Sequence, residues 1–340
     1  MFEYSGAIHI HSKYSDGSGS IPHILADAQK AGLDFITLTD HNTLSAGVAR
    51  WEGWHGDLLL MVGEEVSSRK GHCLALGTRQ RVSHRQPLAG IINDIQVQDG
   101  LSFVAHPHGS YRPLVRRKNH AWRDWTITGI TGLELWSYMF DWVQDFHYLR
   151  FYQHYRYPER FIEGPNPKTL QLWDQFCQTS RCVAIGGVDA HARKYPIVGF
   201  TVFPYEQTFR TLRTHILTNE AFSKNASKDI PIALQSLRQG HCFIGYDFLH
   251  DTTHTRFQSV DKTLLMGDEY VFEHPIELEI HVPISADLTI IKDGQPVESL
   301  FASKHRFEAK TPGVYRIEAR LQNKPWIYTN PIYLRSGAQT

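Results

Sequence analysis

Histidines and carboxylates recur along this chain at spacings that suit a metal site. His9 and His11 stand in His-Ile-His. In an extended strand, alternation turns both imidazoles to one face, where they can chelate one ion. Asp16 follows in Ser15-Asp16-Gly17. Asp40-His41 comes directly after an apolar, β-branched run that ends at Thr39. Gly63-Glu64-Glu65 follows another apolar run, His72 opens the next, and His106 closes a further one in Ala-His-Pro-His. Asp189 and His191 form Asp-Ala-His after Gly186-Gly187. Singly these are weak signals. A lone His41 could fill a core, a lone Glu65 is ordinarily solvated, and Asp-x-His could be a salt-bridged loop. Their ordered recurrence is what points to metal. Nitrogen and oxygen donors without thiolate favour zinc, manganese or iron.

These residues need a scaffold that brings them together. Residues 7–11, 34–39, 58–62, 72–76, 101–105, 132–135 and 183–186 read as short strands. Residues 20–31 carry Ile21, Ile24, Leu25, Ala28 and Ala31 at helical spacing, with Pro22 in the first turn and Gly32 as a stop. Residues 86–99 are a second helical pattern. Alternating strands and helices imply a parallel sheet or barrel, and in a parallel barrel the loops after the strands share one mouth, where active sites form. Residues 111–178 break the short-loop pattern. They are dense in aromatics and arginines and read as an elaboration with its own helices, most of its rings serving packing and a minority available to line a cleft.

After about residue 246 the pattern changes to closely spaced strands, at 276–282, 288–291, 305–309, 314–319 and 326–333, with Asp293-Gly294 as a hairpin turn. We therefore divide the chain into an α/β barrel over 1–245 and a small all-β sandwich over 246–340.

Composition narrows the function classes. The 340 residues carry 35 Lys+Arg against 35 Asp+Glu, which gives no support to a nucleic-acid polymer or an anionic membrane as partner. Twenty histidines are more than ordinary composition supplies. The four cysteines, Cys73, Cys177, Cys182 and Cys242, lack Cys-x-x-Cys spacing. With no apolar run long enough to cross a bilayer and no secretion signal, a cytoplasmic protein with reduced thiols is the simple reading.

The motifs in order resemble the PHP (polymerase and histidinol phosphatase) family: His9-Ile-His11-Ser-Lys-Tyr-Ser-Asp16-Gly, Thr-Asp40-His41-Asn, Gly-Glu64-Glu65-Val-Ser, His72, Ala-His106-Pro and Gly-Gly-Val-Asp189-Ala-His191-Ala. The resemblance covers residues 5–245. It implies a distorted (β/α)7 TIM-like barrel with two or three divalent ions at its mouth. By that resemblance His9, His11, Glu65 and Asp189 hold one metal, and Asp16, His41 and His191 hold a second. His72 and His106, with Glu65 bridging, hold a third. Glu65 is chosen over Glu64 because it begins the Glu-Val-Ser match, which leaves Glu64 facing away as a structural or surface carboxylate. His72 then requires a tight turn through Arg69-Lys70-Gly71. The tail Pro325-Trp326-Ile327 through Tyr333, with Gly313-Val-Tyr-Arg, resembles the carbaryl-hydrolase-like branch with a C-terminal β-domain.

Two metals can clamp the attacking and leaving oxygens of a displacement, and a metal-bound water loses its proton near neutral pH. The expected activity is therefore hydrolysis of a small phosphomonoester or phosphodiester (EC 3.1). Arg193, just past His191, and Arg116 are the expected phosphate-binding residues, Arg112, Arg117 and Lys118 being the weaker candidates. His108 is a candidate proton donor or substrate ligand, and Arg193 is also a candidate catalytic residue. Ser12 and Ser15 could orient ligands. Glu134 either reaches the mouth or is a buried structural carboxylate. Two alternatives remain: a carbamate or carboxylic ester hydrolase at the same metals, and a metal-stabilised binding protein without turnover. The oligomeric state stays open.

Overall fold

The computed structural model describes residues 1–109, 120–144, 146–195 and 200–337. Seven strands follow one another side by side: β1 (Phe2–Ile10), β2 (Phe35–Leu38), β3 (Leu58–Ser68), β4 (Gly71–Leu76), β5 (Leu101–Val104), β6 (Gly132–Ser137) and β7 (Val183–Gly187). Backbone bonds from Val188 N to Ile8 O (2.9 Å) and from Ala190 N to His9 O (3.1 Å) join the end of β7 to the end of β1. The ring of strands thus closes where the His and carboxylate motifs lie.

The ring is not a uniform series of parallel strand–helix units, which corrects the expectation. Strands β3, β4 and β5 pair antiparallel. Only Arg69 and Lys70 separate β3 from β4, far too few residues for the crossover that parallel neighbours need. Strand β3 also runs on through Glu64 and Glu65, which therefore sit within the strand and not in a loop after it. On the outer side of β1, β8 (Leu212–Thr218) and β9 (Cys242–Tyr246) add antiparallel neighbours.

The helices cover this ring. Helix α1 (Ile21–Lys30) buries Ile21, Ile24, Leu25 and Ala28, and Gly32 beyond its end takes φ 73°, a left-handed stop. Helices α2 (Leu88–Val97), α3 (Pro167–Thr179) and α4 (Ala226–Gln239) follow. The aromatic-rich segment contains helices of its own, Tyr138–Gln144 and Phe151–Arg156 ahead of α3, and Trp122, Trp136, Tyr138 and Trp142 are buried as packing. Among the described residues no helix is long and apolar enough to cross a membrane.

Beyond Tyr246 the described residues form strands and no helix. Ile276–Lys292 and Gln295–Ala309 make one long hairpin, whose turn residues Asp293 (φ 52°) and Gly294 (φ 77°) are both left-handed, as a type I′ turn demands. The longer strand breaks register between His281 and Ala286, pairing with Arg256–Ser259 on one half and Gly313–Leu321 on the other. Its core gathers Phe257, Ile280, Leu288, Ile317 and Trp326. The single strand expected over 326–333 is two, Lys324–Thr329 and Ile332–Ser336. Pro331 between them lacks the N–H a ladder needs. Phe243–Gly245 of β9 pair with Ile327–Thr329, so hydrogen bonding runs on from one half of the chain to the other. Asn330 reinforces this seam. Its amide donates to Ala184 O (2.9 Å) and Cys242 O (2.8 Å) and accepts from Ala184 N (2.8 Å).

A buried charge network lies beside the same seam. The His215 imidazole sits between Glu3 Oε1 (3.0 Å) and Asp247 Oδ1 (3.5 Å), with Thr252 Oγ1 also 3.0 Å from Nε2. Arg256 pairs with Glu3 and Arg213 with Asp247. Burial disfavours the imidazolium, but the two carboxylates outweigh it and push its pKa up to about 9 from 6.5. A raised folded-state pKa means this stabilisation is complete below about pH 6.5 and is lost as pH rises through about 9. The effect is at most on the order of 3 kcal/mol. The denaturant midpoint should accordingly fall between pH 7 and 10, and His215→Gln should flatten that fall while lowering the midpoint at pH 7.

Candidate metal centre

The His-Ile-His motif converges by a different route from plain strand alternation. Pairing of β1 with β2 shifts register between Ile8 and Ile10, and His9 takes φ 69°. This bulge aims both rings inward. His9 Nε2 lies 3.4 Å from Glu65 Oε2 and 3.4 Å from Asp189 Oδ1, and His11 Nε2 lies 3.3 Å from each of the same two atoms. Beside them, Asp16 Oδ1 is 3.1 Å from His191 Nε2, 3.6 Å from His41 Nε2 and 3.8 Å from His11 Nδ1. Glu65 Oε1 faces the other way, 2.6 Å from His72 Nδ1 and 3.0 Å from His106 Nε2, and His41 Nδ1 is 2.9 Å from Oε2. All nine residues expected as ligands thus fall in overlapping groups, with Glu65 shared between those containing His9 with His106 and His41 with His72. The turn that delivers His72 is the β3–β4 hairpin, in which Ser67 pairs with His72.

The donor atoms fit divalent cations. His9 Nε2, both ring nitrogens of His11, His106 Nδ1 and Glu65 Oε2 are buried without a hydrogen bond. Leaving such groups unsatisfied costs about 1–3 kcal/mol each, and a cation satisfies several at once. The electrostatics are divided: against burial, the facing carboxylates raise His9, His191 and His41 (to about 9), favouring a positive charge that a bound cation would supply in their place. Burial alone would raise Glu65, yet the imidazoles of His72, His9 and His41 hold it well below the usual carboxylate range. Burial and the neighbouring His191 bring His11 down to about 4, and burial brings His106 down to about 3, so both stay neutral, as metal ligands must be. Three residues of the cluster, His9 (φ 69°), His106 (φ 32°) and Asp189 (φ 48°), hold left-handed backbones that cost a non-glycine residue about 1–3 kcal/mol.

Behind the cluster, Glu134 is fully buried on β6. It accepts from His9 Nδ1 (2.8 Å) and from the backbone N of His106 (2.5 Å). This fixes the His9 tautomer that turns Nε2 to the cluster. Of the two roles open to Glu134, the buried one holds, and it acts on two cluster residues at once. Ser12 and Ser15 orient a carboxylate other than a cluster ligand. Both hydroxyls, together with Ser12 N, donate to Asp40, shaping the loop that carries Asp16. Glu64 is buried, not at the surface; it accepts from Val82 N (2.6 Å), and burial pushes its pKa up to about 7.

The Gly186-Gly187 pair has a steric cause. A Cβ on Gly187 would collide with Glu134 Oε1 and lie 2.8 Å from its Cδ. Gly187→Ala should therefore weaken metal binding about 10–100-fold, the range for losing an outer partner of a ligand. A competition titration against a chelating dye measures this, and unchanged affinity would show that Glu134 does not position His9.

Of the expected substrate residues, two are described and the others lie outside the described residues. His108 is half-buried, its Nδ1 2.8 Å from Thr169 Oγ1, and lines a small cavity of about 30 Å³ shared with Glu134 and Asp141. Arg193 is exposed on the short strand Arg193–Tyr195. Arg116, with Arg112, Arg117 and Lys118, falls in 110–119, outside the described residues. The cleft against the cluster has a volume of about 820 Å³ and is lined by His41, Ser67, Arg69, His72, His120 and Arg123, among others. His120 Nδ1 is 3.0 Å from His72 Nε2. Sequence reasoning missed Arg69, His120 and Arg123 as site residues. Arg69 could have been found, because the turn required to deliver His72 necessarily places its own tip at the site. His120 and Arg123 carry no such signal.

Strands, helices and a buried His–carboxylate cluster define an α/β protein with a candidate metal centre. Residues 7–160 match the family model of the PHP domain. A protein of Methanocaldococcus jannaschii of uncharacterized function is 26% identical over 136 residues, 36% of this chain and 77% of that protein. Among solved structures, a two-domain Bacteroides vulgatus protein containing a predicted PHP-like metal-dependent phosphoesterase aligns over 97% of this chain and 95% of its own, at 17% identity and TM-score 0.47. An amidohydrolase from Chromobacterium violaceum aligns over 60% of this chain and 96% of its own, at 16% identity and TM-score 0.34.

Proposed function

We propose that the chain is a metal-dependent hydrolase of a small phosphoester. The observation that carries this reading is the set of buried donor atoms without hydrogen bonds around Glu65, beside a cleft whose lining is polar and cationic. His9, His11, Glu65 and Asp189 would hold one ion; Asp16, His41 and His191 a second; His72 and His106, with Glu65 shared, a third. Zinc, manganese or iron suits these donors. When bound, such ions supply Lewis-acid activation of water and neutralise charge on phosphoryl oxygens. The chain's own groups do the rest. Glu65 offsets cation repulsion, Glu134 holds His9 in one tautomer, and Arg69 and Arg123 raise the positive potential at the cleft. A boundary near 245/246 and kinship with the carbaryl-hydrolase-like branch remain part of the same reading, and rest on the strand-only tail and its motifs.

The charged cleft favours phosphoester over an apolar aryl carbamate or carboxylic ester. Protein loaded with manganese or zinc should release phosphate from aryl phosphates faster than it cleaves matched carbamates and esters. Chelation should abolish the activity. Cleavage of the carbamates or esters alone would replace this reading, and no turnover on any of them would leave a binding protein.

A further inference from the structure

Arg69 and Arg123 lie beyond the expected metal ligands, and among the described residues their guanidinium groups enter no ion pair and no hydrogen bond. The two segments bearing them are fastened to each other. Arg123 N donates to Lys70 O (2.8 Å), and a Cβ on Gly71, which has φ 143°, would lie 2.7 Å from Trp122 Cε3. Such close backbone approach fixes where both side chains start, so the pair flanks the cleft without large rearrangement. No acidic residue lines that cleft among the described residues.

Size and distance then separate the rim from the reacting end. A volume of about 820 Å³ is that of a pocket for a whole small organic ligand, beyond what one phosphate fills. Arg69 is four residues past Glu65, about 13 Å along an extended strand. Both side chains are exposed, and no described protein group competes for their guanidiniums with an oxyanion, which they can bind in a bidentate manner. From this arrangement we infer that Arg69 and Arg123 bind a second anionic group, a carboxylate or a further phosphate, on the leaving-group half of the substrate. The inference rests on the phosphoester reading and specifies its substrate class: a phosphoester whose alcohol is itself an anion.

The test compares metal-loaded protein on 4-carboxyphenyl phosphate, 1,4-phenylene bisphosphate and the neutral isostere 4-carbamoylphenyl phosphate. The anionic substrates should be favoured about tenfold or more in kcat/KM, mainly through KM. Whichever of the carboxylate and the bisphosphate is preferred identifies the second group. Arg69→Gln and Arg123→Gln should each shrink the preference, and the double variant should bring the ratio near one with an unchanged melting temperature. A native ratio near one, or a preference that survives the double variant, overturns the inference and leaves the phosphoester reading standing. Should none of the three be cleaved, the phosphoester reading falls. Calorimetric titration with 4-carboxyphenyl phosphonate against 4-carbamoylphenyl phosphonate then decides whether the arginines bind an anion at all: tighter binding of the former that the double variant abolishes sustains the anion subsite without its leaving-group assignment, and equal binding ends it.

Discussion

Glu65→Gln is expected to lose most of the bound metal and to lower kcat/KM at least about 10³-fold, since each factor of ten is about 1.4 kcal/mol and the ions contribute several. The size follows from position. Glu65 is 1% exposed, and its two oxygens lie within 3.5 Å of imidazole nitrogens from His9, His11, His41, His72 and His106. No other carboxylate of the cluster meets so many. Glutamine keeps the shape but removes the charge that gathers cations, and it turns an N–H donor toward nitrogens that have none to accept in their metal-binding form. Metal content by elemental analysis, alongside activity, checks this. Full metal occupancy in the variant would mean that the cluster is organised around Asp189 or Asp16 instead. Glu64→Gln one residue away is the control, because Glu64 faces Val82 and not the cluster.

The second large effect is on stability. Ions that bind the folded chain alone stabilise it by about 2.7 kcal/mol per site at a hundredfold excess over Kd. For a chain of this size a single site should raise the melting temperature by about 4 °C, and further sites add to it. Adding manganese or zinc to chelator-treated protein should therefore shift the thermal midpoint upward in a concentration-dependent way. His108→Gln should retain the shift, since His108 bonds Thr169 and belongs to none of the ligand groups, whereas Glu65→Gln should lose most of it. A midpoint indifferent to metal would mean that the buried donors are satisfied in some other way.

Much of the site was legible because its residues are of rare type and ordered in the chain. His9, His11, Asp16, His41, Glu65, His72, His106, Asp189 and His191 could all be named from spacing and resemblance, and they do come together. The way they come together was less legible. Strand alternation seemed to explain His-Ile-His, but a bulge and a left-handed His9 do the aiming, and no residue type announces either. Antiparallel pairing of β3 with β4 was implicit in the short Arg69-Lys70 link, which the barrel reading overrode. The phosphate-binding arginines were sought next to ligands in sequence, at Arg116 and Arg193. The cleft takes Arg69 from a hairpin tip and Arg123 from a segment docked on it. Contacts of this kind depend on tertiary packing, which periodicity does not report. The division of residues 326–333 at Pro331 was visible in the sequence and should have been read.

Asn330 has a practical consequence for anyone dissecting this molecule. Through a single amide it clasps Ala184, on the strand that leads to Asp189, and Cys242 on β9. Trimming the polypeptide at residue 245 would leave Ala184 N and two carbonyls bare in the interior of the retained piece. The front half is thus no detachable unit. The rim that carries the candidate ligands is propped from behind by a residue lying between the strands Lys324–Thr329 and Ile332–Ser336.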